Sequence, residues 1–354
     1  KNETIRKDAA LKSRILNKKA LALNNIGFVY WQKNNYSGAL GFFNLGLKIR
    51  EQTGDKHGLS ESLNNLGELY RLQGNITLAL DFTKSLKIRE EIQDKPGIII
   101  SLNNISLLYL QQGATDKALK NYNRGLKLAE EINDKLGAGH ILHNIAFLYQ
   151  ALKDTAKILE YNNKSLKIFE ETGYKRGIAT VLNNLGALHL AKHEDIATAL
   201  DCFNRSLKIW QELGDTSNTV LAYVNIGNIY LNQKEYELAL DNGLRAMEGA
   251  QESGYPENLK RSSLLLFNIY KDQGDFEKSL KMHELYVRMR DSIFNEETQK
   301  STFKQQMQYE YEKQEALKKI EHEKEMGIAE EGTKRQQLIS FAIGVGILML
   351  TLFA

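Results

Sequence analysis

The segment NNLGELY, residues 64–70, combines a helical leucine pattern with two asparagines and a glycine, which are unfavourable residue types inside an isolated helix. Related segments recur along the chain with a period of about 40 residues. Their last residues are Tyr30, Tyr70, Tyr109, Tyr149, His189, Tyr230 and Tyr270. Seven copies at a nearly fixed period indicate stacked units rather than a single globular core.

A second apolar segment follows each copy. In five units it contains an Ala-Leu pair, which begins at Ala39, Ala79, Ala118, Ala199 and Ala239. Turn-forming segments such as TGDK (53–56) and QDKPG (93–97) separate the units. Apolar residues at helical spacing, such as Leu23, Ile26 and Tyr30, predict a buried stripe on each first helix. We therefore predict an all-α solenoid of about seven antiparallel helix pairs, because a lone pair cannot bury both apolar faces.

One position in the first helix of six of the seven units holds a small residue. The series is Gly27, Gly67, Ser106, Ala146, Gly186 and Gly227. Glycine inside a helix costs about 1 kcal/mol relative to alanine, so its repeated use predicts that a neighbouring helix passes close by. The second unit is one residue shorter than the others between Ala79 and Leu86, which predicts a local distortion near Leu78.

Composition excludes several classes of function. The 354 residues include 47 basic and 44 acidic side chains, and this balance gives no footprint for nucleic acid. No phosphate-binding glycine loop, zinc motif or cysteine cluster is present, so we predict neither cofactor nor metal and no catalytic residues. Two histidine pairs, His140/His143 and His189/His193, have metal-compatible spacing, but packing or solvent exposure explains them better.

The units resemble tetratricopeptide repeats. Gly27, Tyr30 and Ala39 match that family's small, aromatic and alanine positions, and a further aromatic position is matched by Phe43, Tyr122 and Phe203. Asn162 and Gly243 depart from the aromatic position. The long period is similar to that of cell-polarity adaptors of the Pins type. The resemblance implies a right-handed superhelix over residues 18–291, preceded by an N-terminal helix or partial repeat at 1–17, and it implies a protein-binding concave groove.

The resemblance also implies which residues line that groove. The asparagines placed there are Asn25, Asn65, Asn104, Asn144, Asn184 and Asn225. Companions one residue earlier are Asn24, Asn64, Asn103, His143 and Asn183. A neutral amide offers donors and an acceptor to the backbone of an extended peptide. The alternative is that the amides bond to one another as a structural ladder, and the two roles can coexist.

The remaining groove positions are mostly apolar, with Phe28, Trp31, Leu107 and Phe147, and Arg71 is the one candidate cation. This set predicts an apolar or neutral protein or peptide ligand rather than an acidic C-terminus. The alternative for Phe28 and Trp31 is packing against a cap formed by residues 1–17.

The C-terminal quarter has a different pattern. Residues 292–337 carry dense alternating charge and predict a solvated helical connector, with a homodimer contact as a possible role. Residues 338–354 contain no charge and predict a transmembrane segment that continues in a longer protein. This layout resembles the input half of membrane sensors from Bacteroidetes-type bacteria.

These patterns together predict a non-catalytic binding module that serves as the input or scaffold region of a membrane-anchored signalling protein. The alternatives are a tail-anchored scaffold adaptor and the front half of a histidine kinase, cyclase or phosphatase. We expect the repeats to be periplasmic in a bacterial sensor and cytoplasmic in a tail-anchored protein.

Overall fold

The computed structural model describes residues 2–32, 35–72, 81–191 and 195–295, which all belong to one compact region of the chain, residues 1–298. The first seven helices are α1 (Asn2–Gln32), α2 (Tyr36–Thr53), α3 (Lys56–Leu72), α4 (Asp81–Glu91), α5 (Lys95–Gln111), α6 (Thr115–Glu131) and α7 (Lys135–Ala151). The next six are α8 (Thr155–Thr172), α9 (Lys175–Ala191), α10 (Ile196–Glu212), α11 (Thr216–Asn232), α12 (Tyr236–Ser253) and α13 (Pro256–Gln273). A last helix, α14, occupies 276–295.

Consecutive helices pack as pairs, and we number the pairs α1/α2 to α13/α14 as units one to seven. Each second helix also contacts the first helix of the next unit. Odd-numbered helices of neighbouring units touch directly, as α5 does with α7 and α11 with α13. The predicted all-α repeat solenoid is therefore confirmed for the described residues. The right-handed superhelical path and the concave position of the asparagines stay predictions.

In units one, two and five, the small residue of the odd helix lies against an aromatic ring of the even helix. A Cβ atom added to Gly27 would lie 2.7 Å from the ring of Phe43, and one added to Gly67 would lie 2.8 Å from the ring of Phe82. Contacts below 3.0 Å force the neighbour to shift, and both rings are fully buried. The predicted close approach is confirmed, and its partner is the aromatic residue of the same unit.

Phe82 fills the aromatic position of unit two, which the sequence comparison missed. Phe82 and Arg89 in α4 repeat the spacing of Phe43 and Arg50 in α2, so α4 is in phase with the other even helices from Asp81 onward. The missing residue therefore precedes α4, and Leu78, where we expected a distortion, lies outside the described residues.

Aspartates begin several of the helices. The Asp134 carboxylate accepts a hydrogen bond of 2.8 Å from the backbone N–H of Gly137, and Asp94 caps Gly97 in the same way at 3.1 Å. A Cβ at Gly137 would lie 2.2 Å from the Asp134 carboxylate, so glycine allows the carboxylate its position here. These caps fix where α5 and α7 start.

Two buried arginines join successive units, and sequence reasoning did not single them out. Arg89 at the end of α4 donates to the carbonyl oxygen of Gly97 at 2.7 Å and to the hydroxyl of Ser101 at 2.9 Å, both in α5. Arg50 makes the equivalent bonds to α3. Burial lowers the pKa of Arg89, while the nearby carboxylates of Asp94 and Glu61 oppose this shift.

Exposed ion pairs connect the start of an odd helix with the end of the even helix of the same unit. The distances between the ammonium nitrogen and the carboxylate oxygen are 3.1 Å for Lys56–Glu91, 3.5 Å for Lys95–Glu131, 3.0 Å for Lys135–Glu171 and 2.8 Å for Lys175–Glu212. Such pairs are individually weak on a surface, and their regular recurrence follows from the repeated geometry.

The first helix departs from the prediction. Ile26 and Tyr30 were expected to be buried but are 41% and 38% exposed. The counterparts of Ile26 in units three and four, Ile105 and Ile145, are buried, because the preceding unit covers that side of the helix. No helix of the described chain packs on the corresponding side of α1. Helix α1 also runs unbroken through the predicted boundary at residue 17.

No helix within the described ranges is both long enough and apolar enough to cross a bilayer. The segment 338–354 and most of the predicted connector 292–337 lie outside these ranges, so their predicted roles are untested.

Candidate functional site

The candidate site is the surface of the odd-numbered helices α1 to α11 that carries the repeated asparagines, which we call the amide face. Its asparagines are Asn25, Asn65, Asn104, Asn144, Asn184 and Asn225. Asn25 and Asn184 are exposed and the other four are half-buried. One amide is thus displayed at the same height of every odd helix from unit one to unit six.

Side-chain hydrogen bonds connect these amides between units. In each bond the Nδ2 group of an amide-face asparagine donates to Oδ1 of the companion asparagine in the preceding unit. The bonds are Asn65 to Asn24 (3.1 Å), Asn104 to Asn64 (3.0 Å), Asn144 to Asn103 (2.7 Å) and Asn225 to Asn183 (3.1 Å). The structural alternative considered for the asparagines is therefore realised at four unit junctions.

These bonds leave some donors and acceptors of the side-chain amides without a partner in the inter-unit bonds. Each inter-unit bond uses one of the two Nδ2 hydrogens of the donor and one of the two lone pairs of the acceptor oxygen. The bond also fixes the plane of each side-chain amide. The remaining donors and acceptors are consequently held in a set direction on a partly exposed surface, which is the arrangement that favours binding of a polar backbone.

Unit four breaks the series, because His143 takes the companion position. Burial lowers the pKa of His143, and the neighbouring His140 lowers it further, while the facing amide of Asn162 opposes the shift. The His140 ring packs within 5.2 Å of the ring centroids of Phe169 and Tyr174. These two histidines therefore favour the neutral form, and no metal-binding cluster of three ligands is present among the described residues. His193 lies outside them.

Arg71 does not present a free positive charge on the amide face. Its guanidinium donates to both carboxylate oxygens of Glu68, at 2.8 and 2.6 Å, and its side chain is only 15% exposed. The hydrogen bonds that Arg71 donates to Glu68 raise the pKa of Arg71. The pair is internally neutral, so the candidate cation is compensated within the same helix.

The apolar candidates divide into two groups. Phe147 is 55% exposed and Phe28 is also exposed, whereas Leu107 and Trp31 are half-buried. Trp31 packs with the core cluster around Phe43 and meets Phe28 edge-on, with ring centroids 5.5 Å apart. Since residues 2–32 form one helix, residues 2–17 do not fold back over Phe28 and Trp31, and the alternative of an N-terminal cap is wrong.

Sequence models of the tetratricopeptide repeat match residues 18–82, 100–132, 138–212 and 220–242, more than half of the chain. Comparison with curated protein sequences finds no significant match.

Solved structures share the fold at low identity. A signal transduction ATPase with numerous domains from Pyrococcus horikoshii, which has a tetratricopeptide repeat sensor, is 16% identical with a TM-score of 0.62. That match covers 80% of this chain but 44% of the ATPase. Aspartyl phosphate phosphatase F from Bacillus subtilis is 14% identical with a TM-score of 0.60, covering 81% of this chain and 73% of that protein.

A Rap protein complexed with competence and sporulation factor is 14% identical with a TM-score of 0.56, covering 78% of this chain and 76% of the Rap protein. At these identities the structural likeness supports the fold alone. The family is established by the matches to the repeat models and by the seven stacked helix pairs. This chain belongs to the tetratricopeptide repeat family.

Proposed function

We propose that the amide face binds an extended segment of a protein or peptide, and that the module acts by binding rather than by catalysis. The observation that carries this proposal is the row of asparagines fixed by inter-unit hydrogen bonds, as in Asn104 to Asn64. An extended backbone alternates N–H and C=O groups, and an amide side chain complements both. Pre-oriented amides reduce the entropic cost of binding.

Two relatives support this proposal by analogy. One Rap protein was solved in complex with competence and sporulation factor. A Rap conjugation gene regulator, 14% identical with a TM-score of 0.54, was solved in complex with the Phr* peptide. Their likeness to this chain is one of fold. The analogy therefore supports a peptide as the class of ligand and does not identify the peptide.

The proposed ligand is apolar or neutral. Phe28 and Phe147 supply exposed aromatic area, and the charge of Arg71 is already compensated by Glu68. A ligand that gains little from charge attraction keeps its affinity as salt rises. We therefore expect affinity for the best peptides to change little between about 0.1 and about 1 M salt.

The test is selection of displayed random linear peptides on the full chain, followed by affinity measurement by fluorescence anisotropy. The binding variant carries Asn104→Ala and Asn144→Ala. The matched control carries Asn123→Ala and Asn163→Ala, two exposed asparagines on the even helices α6 and α8. We expect the binding variant to lose about tenfold in affinity, from roughly one hydrogen bond at each site, while the control matches the parent.

Equal affinity of the binding variant and the parent would remove the amide face from the proposal. A best ligand that is acidic and released by salt would refute its neutral character, because screened charge pairs would then dominate binding.

The cellular context is also a proposal. We propose that residues 338–354 anchor the module in a membrane, and that it serves as the input or scaffold region of a signalling protein. The support is the uncharged sequence of that segment. A tail-anchored adaptor with cytoplasmic repeats is the alternative to a sensor with periplasmic repeats, and the connector 292–337 is the candidate homodimer contact. Protease protection of the repeats in intact membrane vesicles separates the two topologies.

A further inference from the structure

Unit four differs from units one, two, three and five at two positions that lie together. Asn162 in α8 takes the place of the buried aromatic ring that units one, two, three and five supply with Phe43, Phe82, Tyr122 and Phe203. His143 in α7 takes the place of the companion asparagine. An asparagine is much smaller than a phenylalanine, so the exchange leaves space beneath the small residue Ala146.

That space is a pocket of about 190 Å³ between α7, α8 and α9. Its walls are formed by His143, Ala146, Phe147, Gln150, Ile158, Asn162, Asn184, Ala187, Leu188 and Ala191. Phe147, Gln150, Asn184 and Ala187 are exposed, so the pocket opens where the odd helices face solvent. Asn184 belongs to the amide face, and the pocket therefore continues the proposed binding surface inward.

Two polar atoms in this pocket are buried without a hydrogen-bond partner among the described residues. They are Nδ1 of His143 and Oδ1 of Asn162, and the Asn162 side chain is only 2% exposed. The Asn162 amide faces the His143 imidazole but does not meet the distance and angle of a hydrogen bond with it. Buried polar groups are costly when unpaired, so a group that enters the pocket and pairs with both atoms is strongly favoured.

The lining residues select a neutral group. None of them carries a formal charge, and burial favours the neutral form of His143. A charged group would lose its hydration without gaining a counter-charge. Water molecules can reach the two polar atoms of this open pocket, but they gain nothing from its apolar walls, such as those of Ile158 and Leu188. The pocket therefore suits a group with a polar tip and an apolar stem.

We propose that this pocket is a specificity site that receives the carboxamide of an asparagine or glutamine side chain from the segment bound along the amide face. Oδ1 of Asn162 requires a donor, which an amide NH₂ group provides. The same amide has a second N–H and a carbonyl oxygen, so it pairs with Nδ1 of His143 in either neutral tautomer. This inference rests on the proposed function and names one side chain of its ligand.

The test uses two variants of the full chain and one control. Asn162→Leu keeps a similar shape and removes the polar atoms, and Asn162→Phe fills the pocket with the ring that other units carry. Unit three shows that such a ring fits opposite a residue with a Cβ, because Tyr122 and Ser106 are both fully buried there. Asn163→Leu makes the same exchange at an exposed position one residue further along α8.

Two measurements distinguish binding in the pocket from binding along the amide face. Saturation-transfer NMR with propionamide, and with propionate as a charged analogue, tests the pocket without a peptide. Sequencing of displayed random peptides selected on each variant tests whether one ligand position requires asparagine or glutamine. Both Asn162 variants are expected to melt no lower than the parent, because a buried unpaired carbonyl oxygen is removed.

We expect the parent and Asn163→Leu to bind propionamide but not propionate, and both Asn162 variants to bind it about tenfold more weakly. Peptides selected on the parent protein should have asparagine or glutamine at one shared position. Peptides selected on Asn162→Phe should still bind but should lose that preference. Propionamide binding that is absent or unaffected by Asn162→Phe overturns the inference. If the binding of selected peptides depends on Asn104 and Asn144 but no ligand position prefers asparagine or glutamine, the inference is wrong and the proposed function stands. Propionamide binding without any selected peptide overturns the assignment to a side chain together with the proposed function.

Discussion

Replacing Asn104 with alanine decides whether the amide row serves mainly the fold or mainly a ligand. The change removes the hydrogen bond of 3.0 Å from Asn104 Nδ2 to Asn64 Oδ1, which joins unit three to unit two. Asn104 lies inside α5 and is half-buried, as is Asn64. The variant therefore breaks one inter-unit bond without opening a cavity in the core.

Two opposing effects set the size of the change. A hydrogen bond between neutral groups contributes about 0.5–1.5 kcal/mol to stability, and water can reach a half-buried amide once its partner is lost. Alanine is about 0.7 kcal/mol more favourable than asparagine inside a helix. We therefore expect Asn104→Ala to change the free energy of unfolding by less than about 1 kcal/mol in either direction.

The matched control is Asn123→Ala, because Asn123 is exposed inside α6 and shares only the helix-propensity effect. This control should gain about 0.7 kcal/mol. The difference between the two variants then isolates the inter-unit bond, at about 0.5–1.5 kcal/mol. Urea denaturation followed by far-ultraviolet circular dichroism measures it, provided that the slopes of the transitions are equal.

A difference above about 2 kcal/mol would refute this reasoning, because it exceeds the contribution of a neutral hydrogen bond. The amide row would then be required by the stacking itself, and its repetition would need no ligand. A small difference means that six asparagines occupy helix interiors with almost no net benefit to the fold. Selection for binding would then explain why the chain repeats them.

Three further predictions test the packing of the units. Gly67→Ala places a methyl group 2.8 Å from the Phe82 ring and should be about 1–3 kcal/mol less stable in urea denaturation than Gly41→Ala, whose new methyl group meets no described atom within 4 Å. Arg89→Met removes charged hydrogen bonds to Gly97 and Ser101 and should lower the free energy of unfolding by about 1–3 kcal/mol in urea denaturation. The control Arg124→Met, at an exposed arginine, should lower it by less than about 1 kcal/mol. Lys175 lowers the pKa of Glu212, so this carboxylate stabilises the fold above its ordinary pKa and ceases to do so as pH falls through the lowered value. Thermal melting should accordingly show that Glu212→Gln and the parent converge in stability as pH falls below the ordinary glutamate pKa of 4.5, and divergence there would contradict the pairing.

The architecture could be predicted because it is local and repeated. Six of the seven units carry a small residue at the same position, and the close contact between Gly27 and Phe43 needs only residues within one helix pair. Phe82 was missed for a physical reason. One residue is absent before α4, so counting along the sequence shifts the register although packing against Gly67 restores it.

Contacts between units were harder to foresee. Arg50 and Arg89 follow a Leu-Lys-Ile sequence and occupy the final turns of surface helices, where arginine is normally solvated. Their burial depends on serine hydroxyls and glycine carbonyls in the next odd helix. Likewise, the partner of each amide-face asparagine lies about 40 residues away, so the sequence left the structural and ligand-binding roles open.

The exposed first helix illustrates the same limit. The apolar stripe through Ile26 and Tyr30 is as regular as that of the inner units, and periodicity predicts which face is apolar. Periodicity does not state whether another helix covers that face. Ile26 is exposed because no described helix lies beside it, whereas Ile145 is buried between units three and four.

In a repeat protein, comparison of equivalent positions between units distinguishes residues that serve stacking from residues that serve recognition. A single globular domain offers no such comparison. A feature that recurs in several units, such as a small residue facing a ring, is explained by the packing contacts that those units share. A departure that fills its space well, such as Trp210 in place of Arg50 and Arg89, is explained by packing too. Asn162 and His143 do neither, because they exchange a packed ring for a cavity and leave two buried polar atoms unpaired within the described chain. A fold that satisfies this position with an aromatic ring in four other units can do so here, so the cost at unit four has its explanation in what enters the pocket.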